Sequence, residues 1–312
     1  MARRSRQVAL GVVTALCAAA AVSSCSGDTG GDAAGDGRVG VVASFYPLAF
    51  VVDRVGGDRV DVTDLTPPGV EPHDLELSPR DVASVAEADL VVYLAGFSPA
   101  VDDAVSGEAG GRTLDVGQFA RLDLAANGSS DAGQAEGDDG ADPHFWLDPL
   151  RLADVADQVA VQLGDLDPEA AGAFEANAAE LRAQLEELDA ELAAGLADCD
   201  DKTLVTGHDA FGYLAGRYGL TQVGIAGLNP EAEPTPSDLA EISRFVSDHG
   251  VRTIYHETLV SPAVAEAVAD ETGASIAVLD PLEGLADDAA GADYFSVMRA
   301  NLATLMAGQG CR

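Results

Sequence analysis

From Arg38 onward, short runs of β-branched residues alternate with amphipathic stretches of helix length. The first such runs are "RVGVVASF", "RVDVTDL" and "DLVVYLAGF", and helix-like segments such as "SPRDVASVAEA" lie between them. Strands that alternate with helices favour an α/β domain with a largely parallel sheet. The same alternation returns after Cys199 with "KTLVT", "LTQVGIA", "VRTIYHE" and "ASIAVLD", so the pattern predicts a second region of the same class.

A long helical stripe separates the two alternating regions. Its apolar residues recur at spacings of four and three, with acidic residues between them: Phe174, Ala178, Leu181, Leu185, Leu188, Leu192 and Leu196. With Pro168 in the first turn and an end near Ala197, the pattern predicts about 30 helical residues, on the order of 45 Å in length. A coiled coil has such a stripe too, but α/β patterns flank this one, so we interpret it as a helix that bridges two lobes.

The predicted fold is therefore α/β, with two Rossmann-like lobes whose mostly parallel sheets are joined by one long linker helix. We predict an N-terminal lobe over residues 38–165, the linker helix over 166–198 and a C-terminal lobe over 199–312. Inside the first lobe, residues 125–142 predict an acidic, mobile loop, because "LAANGSSDAGQAEGDDGAD" is polar and has no hydrophobic period.

The start of the chain has the pattern of an export signal over residues 1–24, with three arginines before an apolar run. That run is too short for a comfortable membrane-spanning helix. The stretch "VSSC" resembles the lipobox of bacterial lipoproteins, which implies that Cys25 becomes the acylated first residue; an ordinary signal peptide cleaved nearby is the alternative. Residues 25–37, rich in Gly and Asp, then predict a flexible tether on the outer face of the cell membrane, or in the periplasm.

Charge and cysteine content limit the class of protein further. The formal net charge of −36 disfavours nucleic acid or anionic lipid as a partner and can concentrate cations, although a solvated acidic surface explains most of it. Outside the leader and the lipobox only Cys199 and Cys311 remain, and an even pair in an oxidising compartment predicts a disulfide. Two metal-binding thiolates are the alternative, without any CxxC-type spacing in their favour.

Three histidines and one aspartate are the candidates for metal ligands. His73 lies in "TPPGVEPHD" past one strand, His208 lies in "LVTGHDAF" directly past another, and Asp280 follows "ASIAV". Ligands of open α/β sheets bind outside the carboxyl ends of strands. His144 lies in "DDGADPHFWLDP", where the acidic segment meets the chain's only tryptophan, Trp146, which we interpret as packing beside the histidine.

Each of these four residues also has an ordinary structural explanation, as a loop residue, a packed histidine, a helix start or a turn acid. Together, three imidazoles and one carboxylate form a ligand set that suits Zn²⁺, whereas Mn²⁺ prefers more carboxylate. We therefore predict that His73, His144, His208 and Asp280 bind Zn²⁺, with Mn²⁺ as the weaker alternative.

Other polar residues could support these ligands. Glu71 and Glu257 are candidates for hydrogen bonds to the ligand side chains, and His256, beside Glu257, could be a fifth ligand or a supporting residue. His249 ends a predicted helix, where its charge would suit the helix dipole.

Taken together, several stretches resemble the solute-binding lipoproteins of zinc and manganese ABC importers, the cluster 9 or cluster A-I family. The stretches are "VVASFYPLAFVVDRVGGDRVDV", "PPGVEPHDLELSPRDV", "AEADLVVY", "DPHFWLDP", "VTGHDAFGYLAGRYGL", "GLNPEAEPTPSDLAEI" and "LVSPAVAEAVADETGASIAVLDPLEGL". They occur in family order from Arg38 to about Leu285. The resemblance implies that His73 and His144 of one lobe meet His208 and Asp280 of the other on a single ion in the cleft.

The resemblance also implies the function. Manganese members usually have a carboxylate where His208 stands, so this histidine favours zinc. The chain would be a monomeric receptor, not an enzyme, that binds Zn²⁺ with high affinity and delivers it to a membrane permease driven by a cytoplasmic ATPase. It would touch the membrane only through its lipid anchor. A long linker helix implies modest lobe and loop shifts on metal capture rather than wide closure.

Two departures from the family pattern bear on this interpretation. Zinc members often have a histidine-rich loop before the second histidine ligand, whereas residues 127–142 are acidic and contain no histidine. They could collect metal loosely, but a solvated linker is the interpretation we prefer. His256 stands where family members often have an aromatic residue.

Two other classes of function are compatible with the sequence. A zinc hydrolase could hold its metal with His73, His144 and His208 and use Asp280 or Glu257 as a base, although neither an HExxH nor a GxSxG motif is present. An adhesin or structural surface lipoprotein is the other class.

Overall fold

The computed structural model describes residues 37–109, 112–124, 141–286 and 292–312. The predicted leader over 1–24, the proposed lipid site Cys25, the tether up to residue 36 and residues 125–140 of the predicted acidic loop all lie outside this part of the chain.

The N-terminal lobe contains a four-stranded parallel sheet. Its elements are β1 (Val39–Ala43), α1 (Tyr46–Gly56), β2 (Val60–Asp64), α2 (Pro79–Glu87), β3 (Leu90–Tyr93), α3 (Pro99–Glu108), β4 (Thr113–Asp115) and α4 (Pro149–Leu166), with 3-10 turns at Gly57–Arg59, Val116–Gln118 and Phe145–Leu147. The strand order is β2-β1-β3-β4, with Val41 of β1 paired to Val62 and Leu90 on its two sides. β1 is almost entirely apolar because helices cover both faces of a parallel sheet.

The C-terminal lobe repeats this architecture. Its elements are β5 (Thr203–Thr206), α6 (Gly212–Tyr218), β6 (Thr221–Gly224), α7 (Pro236–His249), β7 (Thr253–His256), α8 (Ala263–Thr272), β8 (Ser275–Val278) and α9 (Tyr294–Gln309). The parallel strands follow the order β6-β5-β7-β8. α7 begins with a capping box, in which Thr235 and Asp238 satisfy each other's backbone amides, and it ends at the left-handed Gly250.

The predicted linker helix is present as α5 (Ala171–Leu196), which begins three residues after Pro168. The apolar stripe that predicted it is buried along its whole length, from Phe174 to Leu196. α5 packs against α1 and α4 on one side and against α6 and α9 on the other. One continuous hydrophobic core therefore runs from the first sheet through α5 into the second lobe. The predicted α/β class with two parallel lobes and one long helix is confirmed.

A disulfide joins Cys199, just before β5, to Cys311, just after α9. It fastens the last helix to the first strand of the C-terminal lobe, at the amino end of β5. Among the residues described, none of the helices combines the length and the apolar character needed to span a membrane.

The carboxyl ends of the strands determine where polar side chains gather. β2 leads into the loop that carries His73, β5 leads directly to His208, β7 leads to Glu257 and β8 leads to Asp280. Both sheets therefore present their carboxyl edges to one cleft, which is where open parallel sheets bind ligands.

Candidate metal centre

Three histidines and one glutamate converge in this cleft. The Nε2 atoms of His144, His208 and His73 lie 3.0, 3.2 and 3.6 Å from Oε1 of Glu283. The Nε2 atom of His144 is also 3.4 Å from Nε2 of His73 and 3.4 Å from Nε2 of His208. One ligand atom from each of the four residues lies within 4.8 Å of the others, so a single small cation could contact all four.

His73 is positioned by a loop with a fixed turn. Pro67 accepts a hydrogen bond from the amide of Val70, and Gly69 between them has a φ of 79°, which only glycine adopts without strain. The carboxylate of Glu71 then accepts the backbone N–H of His73 at 3.1 Å. Gly69 also donates its N–H to the carbonyl of Leu285 at 2.8 Å, which ties this loop to the opposite lobe.

His144 is held by Asp142 and by aromatic packing. Oδ1 of Asp142 accepts both the backbone N–H and the ring Nδ1 of His144, each at 2.9 Å. The chain then enters a 3-10 turn whose Trp146 is fully buried, with its ring centroid 5.2 Å from that of His144. Asp148 ends the turn and caps α4 through the amide of Leu150.

His208 is held by a second carboxylate. Its Nδ1 lies 2.6 Å from Oε1 of Glu257, and both side chains are buried. Gly207 permits this approach, because a Cβ at that position would come within 2.9 Å of the same oxygen. A hydrogen bond from Nδ1 to a carboxylate fixes the tautomer of an imidazole and leaves Nε2 for a metal. Both His144 and His208 have this arrangement.

Glu283, and not Asp280, is the carboxylate that faces the three histidines. The oxygens of Asp280 are occupied within its own loop: Oδ1 accepts the amide of Leu282 at 2.8 Å and Oδ2 accepts the hydroxyl of Thr258 at 3.1 Å. The chain turns at Leu282, which has a φ of 57°, and this turn directs Glu283 into the cleft. Both acids lie in "DPLEG", and proximity to the end of β8 predicts Asp280, whereas the fold brings Glu283 to the histidines.

The other candidate residues take supporting or unrelated positions. Glu71 accepts the backbone N–H of His73, and Glu257 contacts Nδ1 of His208. His256 is partly buried, and its Nδ1 lies 3.1 Å from the carbonyl oxygen of Glu257, so it does not join the cluster. His249 is exposed at the end of α7, with Nδ1 2.9 Å from the carbonyl of Phe245. Asp142 supports His144 and was not predicted.

Burial and neighbouring charges shift the pKa values of the cleft residues in opposite directions. Burial lowers the pKa of His144 and His208, but Asp142, Glu257 and Glu283 outweigh it, so both pKa values lie above the ordinary value, that of His208 well above. For His73, burial prevails and its pKa is lowered. Burial would raise the pKa of Glu283, but the charge of His208 and the hydrogen bonds from His144 and His208 hold it well below the usual range.

The donor set fits zinc. Three imidazole nitrogens and one carboxylate oxygen are ligands that Zn²⁺ accepts in four-coordinate, tetrahedral sites. The neighbouring carboxylates favour the charged form of His144 and His208, and a divalent cation can take the place of that positive charge. The side chain of His73 is 10% exposed while those of His144, His208 and Glu283 are at most 2% exposed, so the cleft is open to solvent on the His73 side.

Comparison with known proteins gives consistent results. The sequence model of the family described as zinc-uptake complex component A, periplasmic (ZnuA) matches residues 41–308. The zinc-binding protein AdcA of Streptococcus pyogenes is 38% identical over 287 residues, covering 86% of this chain and 56% of that protein. The high-affinity zinc uptake system protein ZnuA of Bacillus subtilis is 35% identical over 299 residues, covering 93% of this chain and 92% of that protein.

A solved structure matches as well. The Zn(II)-bound ZnuA-like domain of Streptococcus pneumoniae AdcA superposes with a TM-score of 0.71 at 34% identity, covering 88% of this chain and 99% of that domain. This chain spans only about half the length of its streptococcal AdcA relative, at 56%, so that relative has further sequence that is not matched here. On the family match and these identities, the chain belongs to the ZnuA family of zinc-uptake component A proteins.

Proposed function

We propose that the protein is an exported receptor that binds one Zn²⁺ through His73, His144, His208 and Glu283 and delivers it to an ABC-type importer. The observation that carries this proposal is the convergence of three imidazole Nε2 atoms on one carboxylate oxygen at the boundary of two lobes. The names of its relatives, a zinc-binding protein and a component of a zinc uptake system, support the same cargo.

Zinc is favoured over manganese by the ligand types. Three of the four proposed ligands are nitrogen donors, whereas Mn²⁺ favours sites richer in carboxylate and water. The supporting carboxylates Asp142 and Glu257 contact Nδ1 of His144 and His208, which makes these imidazoles stronger donors toward zinc.

Reversible binding is favoured over hydrolysis by the fourth ligand. A catalytic zinc keeps one position for water beside a base. Glu283 would fill that position, and the two bases that a hydrolase could use are occupied, Glu257 by His208 and Asp280 by its own loop. We therefore propose a receptor rather than an enzyme.

The remaining parts of the proposal concern location and partners. The disulfide between Cys199 and Cys311 supports an oxidising, extracytoplasmic compartment. In this proposal Cys25 carries the lipid anchor, and the monomeric receptor passes zinc to a membrane permease driven by a cytoplasmic ATPase. The core that runs continuously through α5 supports modest lobe and loop shifts during zinc capture.

A competition titration against a zinc chelator tests the site. We expect one zinc per protein and a loss of affinity in Glu283→Ala larger than the roughly 10–100-fold typical of outer-shell partners. Asp280→Asn is the matched control, because its amide oxygen can still accept the Leu282 N–H. Equal losses in Glu283→Ala and Asp280→Asn, or wild-type affinity in Glu283→Ala, would contradict the assignment.

A further inference from the structure

Side-chain hydrogen bonds hold the loop that carries Glu283. Asn301 of α9 accepts the amide of Asp280 at 2.9 Å through Oδ1 and donates Nδ2 to the carbonyl of the same residue at 2.7 Å. Asp280 in turn accepts the amide of Leu282 at 2.8 Å. Both backbone polar groups of Asp280 are thus bonded to one buried amide side chain.

Leu282 requires such support. It is a fully buried leucine with a φ of 57°, in the left-handed region that disfavours residues with a Cβ. Residues in such conformations persist only where their surroundings determine them, and they concentrate at functional sites. Glu283 follows Leu282 directly, so the direction of its side chain depends on this turn.

A second support comes from the opposite lobe. The indole Nε1 of Trp146 donates to the carbonyl of Pro281 at 2.7 Å, and Trp146 is fully buried. Trp146 lies two residues after His144, and Pro281 lies two residues before Glu283. This hydrogen bond therefore connects the segment of one proposed ligand to the segment of another.

The segment of Trp146 is itself anchored to the C-terminal lobe. The hydroxyl of Tyr294, at the start of α9, donates to the carbonyl of Trp146 at 2.6 Å, and its ring stacks on Phe50 of α1. α9 thus bonds to both sides of the cleft, through Tyr294 to the His144 segment and through Asn301 to the Glu283 loop.

We propose that Asn301 and Trp146 are positioning residues that hold the 280–283 loop in its left-handed turn and so present Glu283 to the metal before the metal arrives. This inference rests on the proposed function, because it concerns the fourth ligand of the same site. Neither side chain is proposed to touch zinc. Without them the loop would relax at Leu282, and Glu283 would no longer be held against the bound metal as its fourth ligand.

The test compares two buried amides of the same helix. Asn301→Leu keeps the approximate shape of the side chain and removes both hydrogen bonds to Asp280. Gln309→Met is the matched control, since Gln309 is fully buried at the other end of α9 and donates to the carbonyl of Thr203 at 2.9 Å, away from the cleft. Both substitutions remove buried hydrogen bonds, but only the first acts on the Glu283 loop.

Two readouts separate a positioning role from a loss of stability. We expect Asn301→Leu to weaken zinc binding roughly 10–100-fold, as for other outer-shell partners, and Gln309→Met to leave it unchanged. The Co²⁺-substituted protein has visible absorption that reports its ligands. The Co²⁺ spectrum of Asn301→Leu should shift from that of the wild type toward that of Glu283→Ala, and the spectrum of Gln309→Met should not.

Trp146→Phe provides a second variant, which keeps an aromatic ring but removes the donor to Pro281 together with part of the buried indole. Trp146→Phe tests the positioning role even if Asn301→Leu does not fold. In the metal-free protein, amide exchange at Leu282 should accelerate in Trp146→Phe and in Asn301→Leu while Gln309→Met keeps the wild-type rate at that amide.

Different results would refute the proposed function and the positioning role of Asn301 and Trp146. A wild-type protein that binds no stoichiometric zinc would refute the proposed function. Wild-type zinc binding together with unchanged affinity, Co²⁺ spectrum and Leu282 exchange in the folded positioning variants would overturn this inference alone. A fall in affinity with an unchanged Co²⁺ spectrum would also overturn the inference, because Glu283 would then bind the metal without support from Asn301 and Trp146.

Discussion

Nδ1 of His208 lies 2.6 Å from Oε1 of Glu257, and both side chains are buried. The carboxylate holds Nδ1 of the imidazole, so Nε2 is directed at Glu283 and the other histidines. The other oxygen of Glu257, Oε2, is buried without a hydrogen-bond partner among the described residues. Such a carboxylate is costly unless positive charge lies nearby, and a bound zinc next to His208 would provide it.

Glu257→Ala should therefore weaken zinc binding although Glu257 is not a proposed ligand. The substitution leaves Nδ1 of His208 buried without its partner, and we expect a loss of roughly 10–100-fold in affinity. Glu257→Gln, which keeps an acceptor oxygen without the charge, should fall between Glu257→Ala and the wild type. Chelator competition measures the loss, with the exposed Glu266→Ala of α8 as a control. Wild-type affinity in Glu257→Ala would refute the supporting role.

Zinc binding should release protons and depend on pH. His144 and His208 have raised pKa values in the metal-free cleft, whereas that of His73 is lowered. Because the first two retain their protons to higher pH, we expect zinc binding to release protons near neutral pH. Calorimetry in buffers of different ionisation enthalpy counts them. Release of no protons would contradict the charge balance described for the cleft.

The same pKa shifts predict how the stability of the metal-free and the zinc-bound protein depends on pH. The stabilisation from a raised histidine pKa is fully present below the unfolded pKa of about 6.5 and is lost as pH rises through the folded pKa. The lowered pKa of Glu283 gives stabilisation that is lost only as pH falls through its folded value. Metal-free stability should therefore fall above neutral pH, while the increase in Tm on adding zinc should grow. An increase in Tm that shrinks with rising pH would contradict this.

Gly69→Ala should weaken zinc binding through the His73 loop. A Cβ at a φ of 79° is strained by about 1–2 kcal/mol, and the turn also directs the Gly69 N–H to Leu285. Gly250→Ala places the same kind of strain at the end of α7, where φ is 65°. Both should lower the free energy of unfolding, measured with urea, but only Gly69→Ala should lower zinc affinity. Equal zinc affinity in the two variants would show that the turn does not position His73.

The disulfide should matter for stability and not for zinc. It closes a loop of 112 residues, for which chain entropy gives a stabilisation of up to about 4–5 kcal/mol. Cys199 lies at the amino end of β5 and His208 follows its carboxyl end, so the bond is separated from the site by the strand. The double substitution Cys199→Ser and Cys311→Ser should unfold at lower urea concentration and bind zinc as the wild type does in conditions where it is folded. Loss of zinc affinity in the folded double variant would contradict this separation.

Much of the fold could be predicted because its signals are local and periodic. The stripe from Phe174 to Leu196 has the spacing of one buried helix face, and that face is what α5 buries. His73 and His208 could be selected because each follows a strand, and parallel strands end at a common edge. Thr235 followed by Pro236 is also a local signal of a helix start, and α7 begins there.

The fourth residue of the cluster could not be selected in the same way. Asp280 follows β8 most closely, but whether Asp280 or Glu283 faces the cleft depends on the backbone at Leu282. Leucine gives no indication of a left-handed conformation, since glycine and asparagine are the residues that usually adopt it. The turn is set by Asn301 and Trp146, which are distant in sequence, so only the folded structure reveals it.

X-ray absorption at the zinc edge of the zinc-loaded protein, together with anomalous diffraction from its crystals, tests the central claim most directly. We predict one zinc per chain bound by Nε2 of His73, His144 and His208 at about 2.0–2.1 Å and by an oxygen of Glu283 at about 2.0–2.2 Å. No water should complete the coordination. A zinc bound by Asp280 in place of Glu283, a water in the fourth position, or a zinc peak outside this cleft would contradict the account.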